Sequence, residues 1–312
     1  MKKFNLLFCV VFILAFSTEK ATAQYYFYDN KYYDNPITFE LGASVGAINC
    51  LTDLGGNKGI GKKFVKDLNL GKTNLAYGVS LSAMYQYMFA VRLEATFGTV
   101  EAEDKVLLKV APSTFGRYER NLSFKSKITD FMLGVEIHPL YIMNSQDEDK
   151  EPPLFSPYLF AGVGFFSFKP QAKLNGKWVD LQPLSTEGQG FAEYPDRKPY
   201  KLNQMNIPFG LGVKYDLGTA LSLRAEFIYR KLNTDYLDDV SSTYYADPSL
   251  YANYFTGAKL TNALLLNNRQ YELDPTHGYN TEDQRGNPNN KDAYFTFNIK
   301  IGYTFGRQKI IK

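Results

Sequence analysis

The stretch from residue 206 to residue 230, NIPFGLGVKYDLGTALSLRAEFIYR, decides the fold of this chain. Each half alternates apolar and polar side chains with a period of two, and a short connector containing Gly218 joins the halves. This alternation indicates a β-hairpin. One face is apolar with tyrosine at its ends, and the other holds glycines and charges such as Lys214 and Arg224. The pattern fits a soluble β domain, and it also fits an outer-membrane barrel, whose strands are apolar towards lipid and polar towards the lumen.

Residues 1–23 have the features of a secretory signal peptide. Lys2 and Lys3 precede an apolar run at 6–16, and the triplet ATA at 21–23 fits a cleavage site. The apolar run is too short to span a bilayer. The exported part contains one cysteine, Cys50, so we expect no internal disulfide.

A tyrosine-rich leader follows at 24–35, with the sequence QYYFYDNKYYDN. Two interpretations stay open for it: a disordered leader, or a docking strip for a partner protein. In the second case the candidate partner-binding residues are Tyr25, Tyr26, Tyr28, Tyr32 and Tyr33.

The composition excludes two classes of protein. The mean hydropathy is −0.30, and no window after the signal approaches about 18 consecutive apolar residues, which excludes a helical membrane protein. The net charge of +3 is too small to indicate nucleic-acid binding. A negative mean hydropathy is compatible with a transmembrane barrel, because half of each strand faces a polar interior.

Period-two alternation recurs along the chain and predicts eight strands, near 37–50, 75–86, 91–97, 122–137, 157–168, 206–215, 221–230 and 295–305. The connections alternate between long and short, as long external loops and periplasmic turns do in outer-membrane barrels. This alternation of long and short connections, together with the signal peptide, predicts an all-β fold: an eight-stranded antiparallel transmembrane β-barrel with long extracellular loops. We place the barrel at 36–306 in the cell outer membrane, with a tail at 307–312.

The polar faces of these strands carry acids and bases in similar number, which fits a closed lumen. An eight-stranded barrel has an interior that side chains just fill. We predict a buried plug of mixed charge, with a narrow transport path as the alternative. The residues concerned are Glu40, Arg92, Glu94, Glu136, Lys214, Arg224, Glu226, Arg230 and Lys300.

Five runs of sequence resemble the PorG-like outer-membrane barrels of Bacteroidota, which are associated with the type IX secretion system. The runs are LTDLGG at 51–56, PYLFAGVG at 157–164, PLSTEGQG at 183–190, IPFGLGVKY at 207–215 and TDYLDDVS at 234–241. Three of them fall in predicted loops, where the candidate functional residues, with the nearby tryptophan, are Asp53, Gly55, Gly56, Trp178, Glu187, Gly188, Asp235, Asp238 and Asp239.

The resemblance implies a non-enzymatic component, without a cofactor, that ties a periplasmic secretion ring to the outer membrane. The leader and the acidic turn at 144–153 are then candidate docking sites, the latter through Asp147, Glu148 and Asp149. The other expected partners are outer-membrane lipid and lipopolysaccharide, and we expect no nucleic acid. A small-solute channel is an alternative function.

Other chemistry is conceivable at these positions. The aspartates at 235–239 suit either Ca²⁺, which takes several oxygen ligands, or a solvated turn facing lipopolysaccharide, and we favour the turn.

His138 and His277 would suit a lipid-modifying enzyme with a site at the barrel rim, but neither shows a partner spacing, so we favour a structural or surface role. Gly55 and Gly56 lack the Gly-Lys-Ser/Thr of a phosphate loop and are predicted turn glycines. Trp178 is predicted to pack within a loop, with a ligand platform as the alternative.

Overall fold

The computed structural model describes residues 37–56, 70–109, 114–144, 155–217, 220–276 and 280–305. These residues form nine strands: β1 (Ile37–Leu51), β2 (Asn74–Tyr85), β3 (Phe89–Glu103), β4 (Ser123–Ile137), β5 (Phe155–Leu174), β6 (Lys177–Asp180), β7 (Asn203–Asp216), β8 (Leu221–Leu232) and β9 (Ala293–Phe305).

Eight of these strands close into an antiparallel barrel. β1 pairs with both β2 and β9, and β4 pairs with β5 to complete the ring. Every barrel strand therefore has a neighbour on both sides, which satisfies the backbone where lipid offers no hydrogen-bonding partners. β6 pairs only with the last residues of β5 and forms a small hairpin at the end of the barrel.

The two faces of the barrel differ as the sequence predicts. Outward residues such as Leu211 and Ile301 are each 58% exposed, while the inward Glu226 on β8 is 1% exposed. An apolar exterior around a charged interior belongs in lipid and not in water. The prediction of an eight-stranded transmembrane barrel in the outer membrane is confirmed.

Two predicted strand ends come six residues too early, because β3 continues past residue 97 to Glu103 and β5 past residue 168 to Leu174. The segment 170–204 is predicted to be a loop, but β5 continues to Leu174 and turns into β6. Alternation persists there, with Ala172 and Leu174 inward and Lys173 outward. The outward residues are polar because this part of the strand extends past the apolar belt. The difference between an apolar and a polar face therefore disappears from the sequence, although inward and outward side chains still alternate.

The connections at the two ends of the barrel differ in length. At the turn end, the links 86–88, 138–154 and 217–220 join successive strands, and the second contains the helix Pro139–Asn144. At the loop end, the links are 52–73, 104–122, 175–202 (which includes β6) and 233–292, with the helices Phe115–Arg120 and Gly257–Asn267. Among the described residues, no helix has the length and apolar character needed to cross a membrane.

Inward glycines make room for large side chains in the lumen. A Cβ added at Gly212 would lie 2.5 Å from the ring of Tyr158, and one at Gly134 would lie 2.4 Å from the ring of Phe160. Side-chain bulk at these two positions would displace aromatic rings that are packed inside the barrel. The glycine pattern of the strands is therefore a packing requirement of the filled barrel.

Candidate functional site: the closed lumen and the loop cap

The lumen is filled by a network of ion pairs. Arg92 contacts Glu136 and Glu226, each at 2.8 Å, and Glu94 at 3.3 Å. Arg224, on the neighbouring layer, lies 2.6 Å from Glu40 and 2.9 Å from Glu136. The nine predicted luminal residues are all at most 4% exposed. Each charge has an opposite partner, which is the condition under which buried charges are tolerated.

The network continues towards both ends of the barrel. Lys300 lies 2.6 Å from Glu94 and 3.1 Å from Glu226, and Lys214 lies 3.3 Å from Asp216. Near the loop end, Arg230 is 2.6 Å from Asp130. Asp130 and Asp216 are not among the predicted luminal charges, although both lie on the polar face of their strand by parity.

His138 lies at the turn end of the lumen and has two polar partners. Its Nδ1 is 3.0 Å from Ser156 Oγ, and its Nε2 is 3.2 Å from Glu136 Oε2. These are the chemical groups of a Ser–His–acid triad. Ser156 is 1% exposed and Glu136 is already paired with Arg224, so the hydroxyl has no open approach. Ser156 is not among the residues predicted from sequence, because it lies on the next strand.

The four loop-end connections meet in a folded cap, whose first centre is Arg120. The guanidinium makes two 2.8 Å bonds to the carboxylate of Asp104. It also donates to the backbone carbonyl of Asp53 at 2.8 Å and to that of Arg285. One side chain thus joins the connections after β1, β3 and β8. Arg120 has no local sequence signal, since partners such as Asp53 and Arg285 lie far away along the chain.

Glu187 is the second centre of the cap. Arg285 donates to its carboxylate at 2.6 Å, and the backbone N–H groups of Ser241 and Ser242 donate at 3.0 and 2.9 Å. Gly188 follows with φ +72°, and a Cβ there would lie 2.7 Å from the ring of Tyr194. The run PLSTEGQG is therefore joined to the long connection between β8 and β9 by charge and by close packing.

The aspartates at 235–239 are buried inside this cap. Asp239 accepts hydrogen bonds from Tyr200 at 2.5 Å and from Thr186, and Asp238 accepts from the Leu54 N–H at 3.2 Å. Asp235 accepts from the Ser241 hydroxyl at 2.8 Å. The prediction of a solvated turn facing lipopolysaccharide is wrong, because distant loops supply partners that draw these carboxyls inward.

Burial raises the pKa values of the cap carboxyls. The pKa of Asp53 rises to about 6, that of Asp239 to about 7 and that of Asp235 to about 8, in each case mainly through burial. Burial, reinforced by neighbouring carboxylates, also raises the pKa values of Asp238 and Asp292 well above the ordinary range. These five carboxyls therefore hold a proton more readily than a solvated carboxyl does. Across the described ranges, no group of three or more His, Cys, Asp or Glu side chains is placed to hold a metal ion.

The remaining candidate residues lie in different parts of the chain. Gly55 and Gly56 have φ values of +70° and +98°, as expected of turn glycines. Trp178 lies on β6 and is 47% exposed, so the prediction that it packs within a loop is wrong; the hairpin holds it outward. The predictions that lie outside the described residues concern residues 1–23, the tail, His277, Tyr25, Tyr26, Tyr28, Tyr32, Tyr33, Asp147, Glu148 and Asp149.

Comparison with known proteins gives matches among solved structures only. No protein-family model and no curated protein matches the chain. Neisserial surface protein A is 9% identical with a TM-score of 0.39, covering 86% of this chain and 97% of that one. OprG from Pseudomonas aeruginosa is 11% identical with a TM-score of 0.37, covering 85% and 95%. A major outer membrane protein from Thermus thermophilus is 13% identical with a TM-score of 0.39, covering 87% and 100%.

Similarity at this level carries no argument about function. The fold is defined by the closure of this chain's own sheet and by its apolar exterior. The function must be argued from the lumen and the cap.

Proposed function

We propose that this chain is a non-enzymatic outer-membrane barrel that anchors a protein assembly of the envelope, and that the assembly is the type IX secretion machinery. The observation that carries the structural role is the filled lumen: ion pairs occupy it from Glu40 near the turn end to Arg230 near the loop end. A barrel closed in this way offers a rigid body in the membrane and surfaces at both ends.

The secretion part of the proposal depends on the resemblance in sequence. Three of the runs that carry it, LTDLGG, PLSTEGQG and TDYLDDVS, belong to one cap through the contacts of Asp53, Glu187 and Asp238. The proposed contacts with periplasmic ring proteins would use the turn end, the leader and the acidic turn. Outer-membrane lipid and lipopolysaccharide are the proposed lipid partners.

Crosslinking in intact envelopes tests the proposal. The chain is purified after gentle crosslinking, and co-purifying proteins are identified by mass spectrometry. We expect periplasmic ring subunits with the wild-type chain. We expect fewer of them when the five leader tyrosines are replaced by serine, or when Asp147, Glu148 and Asp149 are replaced by asparagine and glutamine. Recovery of the barrel without ring subunits would contradict the secretion role.

A lipid-modifying enzyme is the second candidate, favoured by the contacts of His138 with Ser156 and Glu136. A comparison of lipid A and phospholipids between wild type and a Ser156→Ala variant tests it. We expect identical lipid profiles. A change in acylation in the variant, with the barrel still folded, would establish the enzyme in place of the anchor.

A small-solute channel is the third candidate and is tested by swelling of liposomes that contain the purified protein. Because the lumen is packed, we expect the liposomes to swell no faster than protein-free ones in a small sugar such as arabinose. Rapid swelling would favour the channel.

A further inference from the structure

A group of lysines lies on the outer face of the barrel at the loop end. We call it the basic patch; its members are Lys125, Lys127, Lys169 and Lys173. Lys127 on β4 lies directly opposite Lys169 on β5, and both are exposed. Like charges opposite each other across a strand pair are destabilising. The folding of the sheet does not explain this arrangement.

The acidic residues near the basic patch neutralise only part of it. Asp180 Oδ2 lies 2.8 Å from Lys169 Nζ, and Glu101 lies opposite Lys125 in the β3–β4 register. Among the described residues, no carboxylate lies at ion-pair distance from Lys127 or Lys173. Four lysines therefore face two carboxylates, and the patch keeps a positive charge.

The lipid-facing surface below the basic patch is grooved. Phe131 and Phe165 pair across β4 and β5 four residues from Lys127 and Lys169, in the same column of outward positions. Beside this aromatic pair runs an open groove of about 610 Å³, lined mostly by outward apolar side chains such as Leu93 and Val163. The small side chain of Ala95 contributes to it, between the larger Leu93 and Phe131.

Trp178 lies beside the basic patch. It pairs with Lys173 in the β5–β6 hairpin, and the Lys125 ammonium lies 5.2 Å from the centre of its ring. An indole is suited to the head-group level of a membrane. Along β5 the groove is followed first by Lys169 and, four residues later, by Lys173 with Trp178 opposite it. This order places lysines directly beyond the apolar surface, where a lipid carries its phosphates.

We propose that the basic patch binds the phosphate groups of an outer-leaflet glycolipid whose acyl chains lie in the groove. Lysine ammonium groups bind phosphate as point charges. The phosphates of a membrane lipid lie immediately beyond the hydrocarbon, which is where β4 and β5 carry the patch. The site rests on the lipopolysaccharide partner proposed above and assigns its position, and its test is separate from that of the anchoring role, since it involves neither the turn end nor the lumen.

Binding of bisphosphorylated lipid A and of its dephosphorylated form to the purified barrel tests the site. The full chain is held in a zwitterionic detergent, and the bound lipid is counted by native mass spectrometry. We expect the triple variant Lys127→Gln, Lys169→Gln, Lys173→Gln to lose at least tenfold in affinity for the phosphorylated form. The reason is that each lysine near an anionic lipid surface contributes roughly fivefold to binding.

The chain offers a matched control in Lys231, which is exposed on the outer face of β8 at the same end. We expect Lys231→Gln to bind like the wild type. A third variant, Ala95→Leu, narrows the groove and should weaken the acylated lipid while leaving binding of a soluble phosphorylated disaccharide unchanged. All these positions face outward, so no variant should unfold at a lower temperature than the wild type.

Three outcomes would overturn the proposal. The first is equal binding of the phosphorylated and dephosphorylated lipids. The second is a triple variant that binds as the wild type does, or a control that loses as much as the triple variant. The third is a soluble phosphorylated disaccharide that binds as tightly as the complete lipid, because this would leave no part for the groove.

Discussion

The lumen and the cap both bury charged residues, but they balance them differently. In the lumen, six carboxylates face five cations, and every one of these is ion-paired. In the cap, ion pairs join Asp104 to Arg120 and Glu187 to Arg285. The other cap carboxyls, whose pKa values are raised, are Asp53, Asp235, Asp238, Asp239 and Asp292. The lumen thus balances buried charge with charge, whereas the cap relies on protons and on hydrogen-bond donors.

The largest effect is expected in the lumen. Arg224→Ala leaves Glu40 and Glu136 short of a cation in a site without solvent. Loss of one partner from a buried ion pair costs about 3–5 kcal/mol. We expect the free energy of unfolding of the whole barrel, measured by urea titration in lipid vesicles, to fall by that amount. Lys231→Ala, on the exposed outer face, should change it by less than about 0.5 kcal/mol. Equal effects of the two would show that the lumen is wet.

The same change in the cap should act locally. Arg285→Ala removes the cation from the carboxylate of Glu187 and leaves it with the backbone donors of Ser241 and Ser242. We expect about 2–3 kcal/mol of local destabilisation, since a buried charged acceptor loses its strongest donor. Limited proteolysis should cut the loop-end connections faster while the strands stay protected. Glu282→Gln, at an exposed position of the same connection, is the control; loss of the strands as well would show that cap and barrel unfold together.

A substitution that changes the packing of the lumen, but not its charge, gives another test. Gly212→Ala places a Cβ 2.5 Å from the ring of Tyr158, whose hydroxyl is held at 2.7 Å by Glu226. Overpacking of this kind costs about 1–3 kcal/mol. Urea unfolding in vesicles measures it, with Gly116→Ala as control because nothing lies within 4 Å of the added Cβ there. An unchanged stability for Gly212→Ala would mean that the ring has space to move.

The smallest expected difference between the lumen and the cap is in how their stability changes with pH. The pKa values of Asp53, Asp235 and Asp239 lie near 6, 8 and 7 in the folded cap, above the ordinary carboxyl value. Their contribution to stability is therefore complete below about pH 4 and is lost as the pH rises through 6 to 8. We expect cap opening to become at least tenfold more frequent between pH 5 and pH 8, or about 1.4 kcal/mol.

Hydrogen exchange of the peptides around 235–241, corrected for the intrinsic rate at each pH, measures this change. Peptides of the barrel strands should keep their protection. Asp235→Asn removes the carboxyl whose pKa is the highest of these three and should flatten the pH response. A cap that is as closed at pH 8 as at pH 5 would show that nearby cations compensate the carboxylates in full. These cations are the two arginines and Lys291, whose charge acts to lower the pKa of Asp235.

The sequence alone determined the barrel. Each strand alternates with a period of two, so parity places Leu211 outward and Arg224 inward before any contact is known. The same parity places Asp130 and Asp216 inward, although they are not among the predicted luminal charges. The upper part of β5 was missed because its outward residues are polar above the lipid, which removes the apolar signal but not the strand.

Only the tertiary structure decided the cap. Asp238 bonds to Leu54, 184 residues earlier, and Arg285 to Glu187, 98 residues earlier. A carboxyl in a loop has the same local signature whether it is solvated or buried, so the sequence favoured solvent for the aspartates at 235–239. A strand's faces are fixed by its own geometry, while a loop's burial depends on partners that the fold brings from elsewhere in the chain.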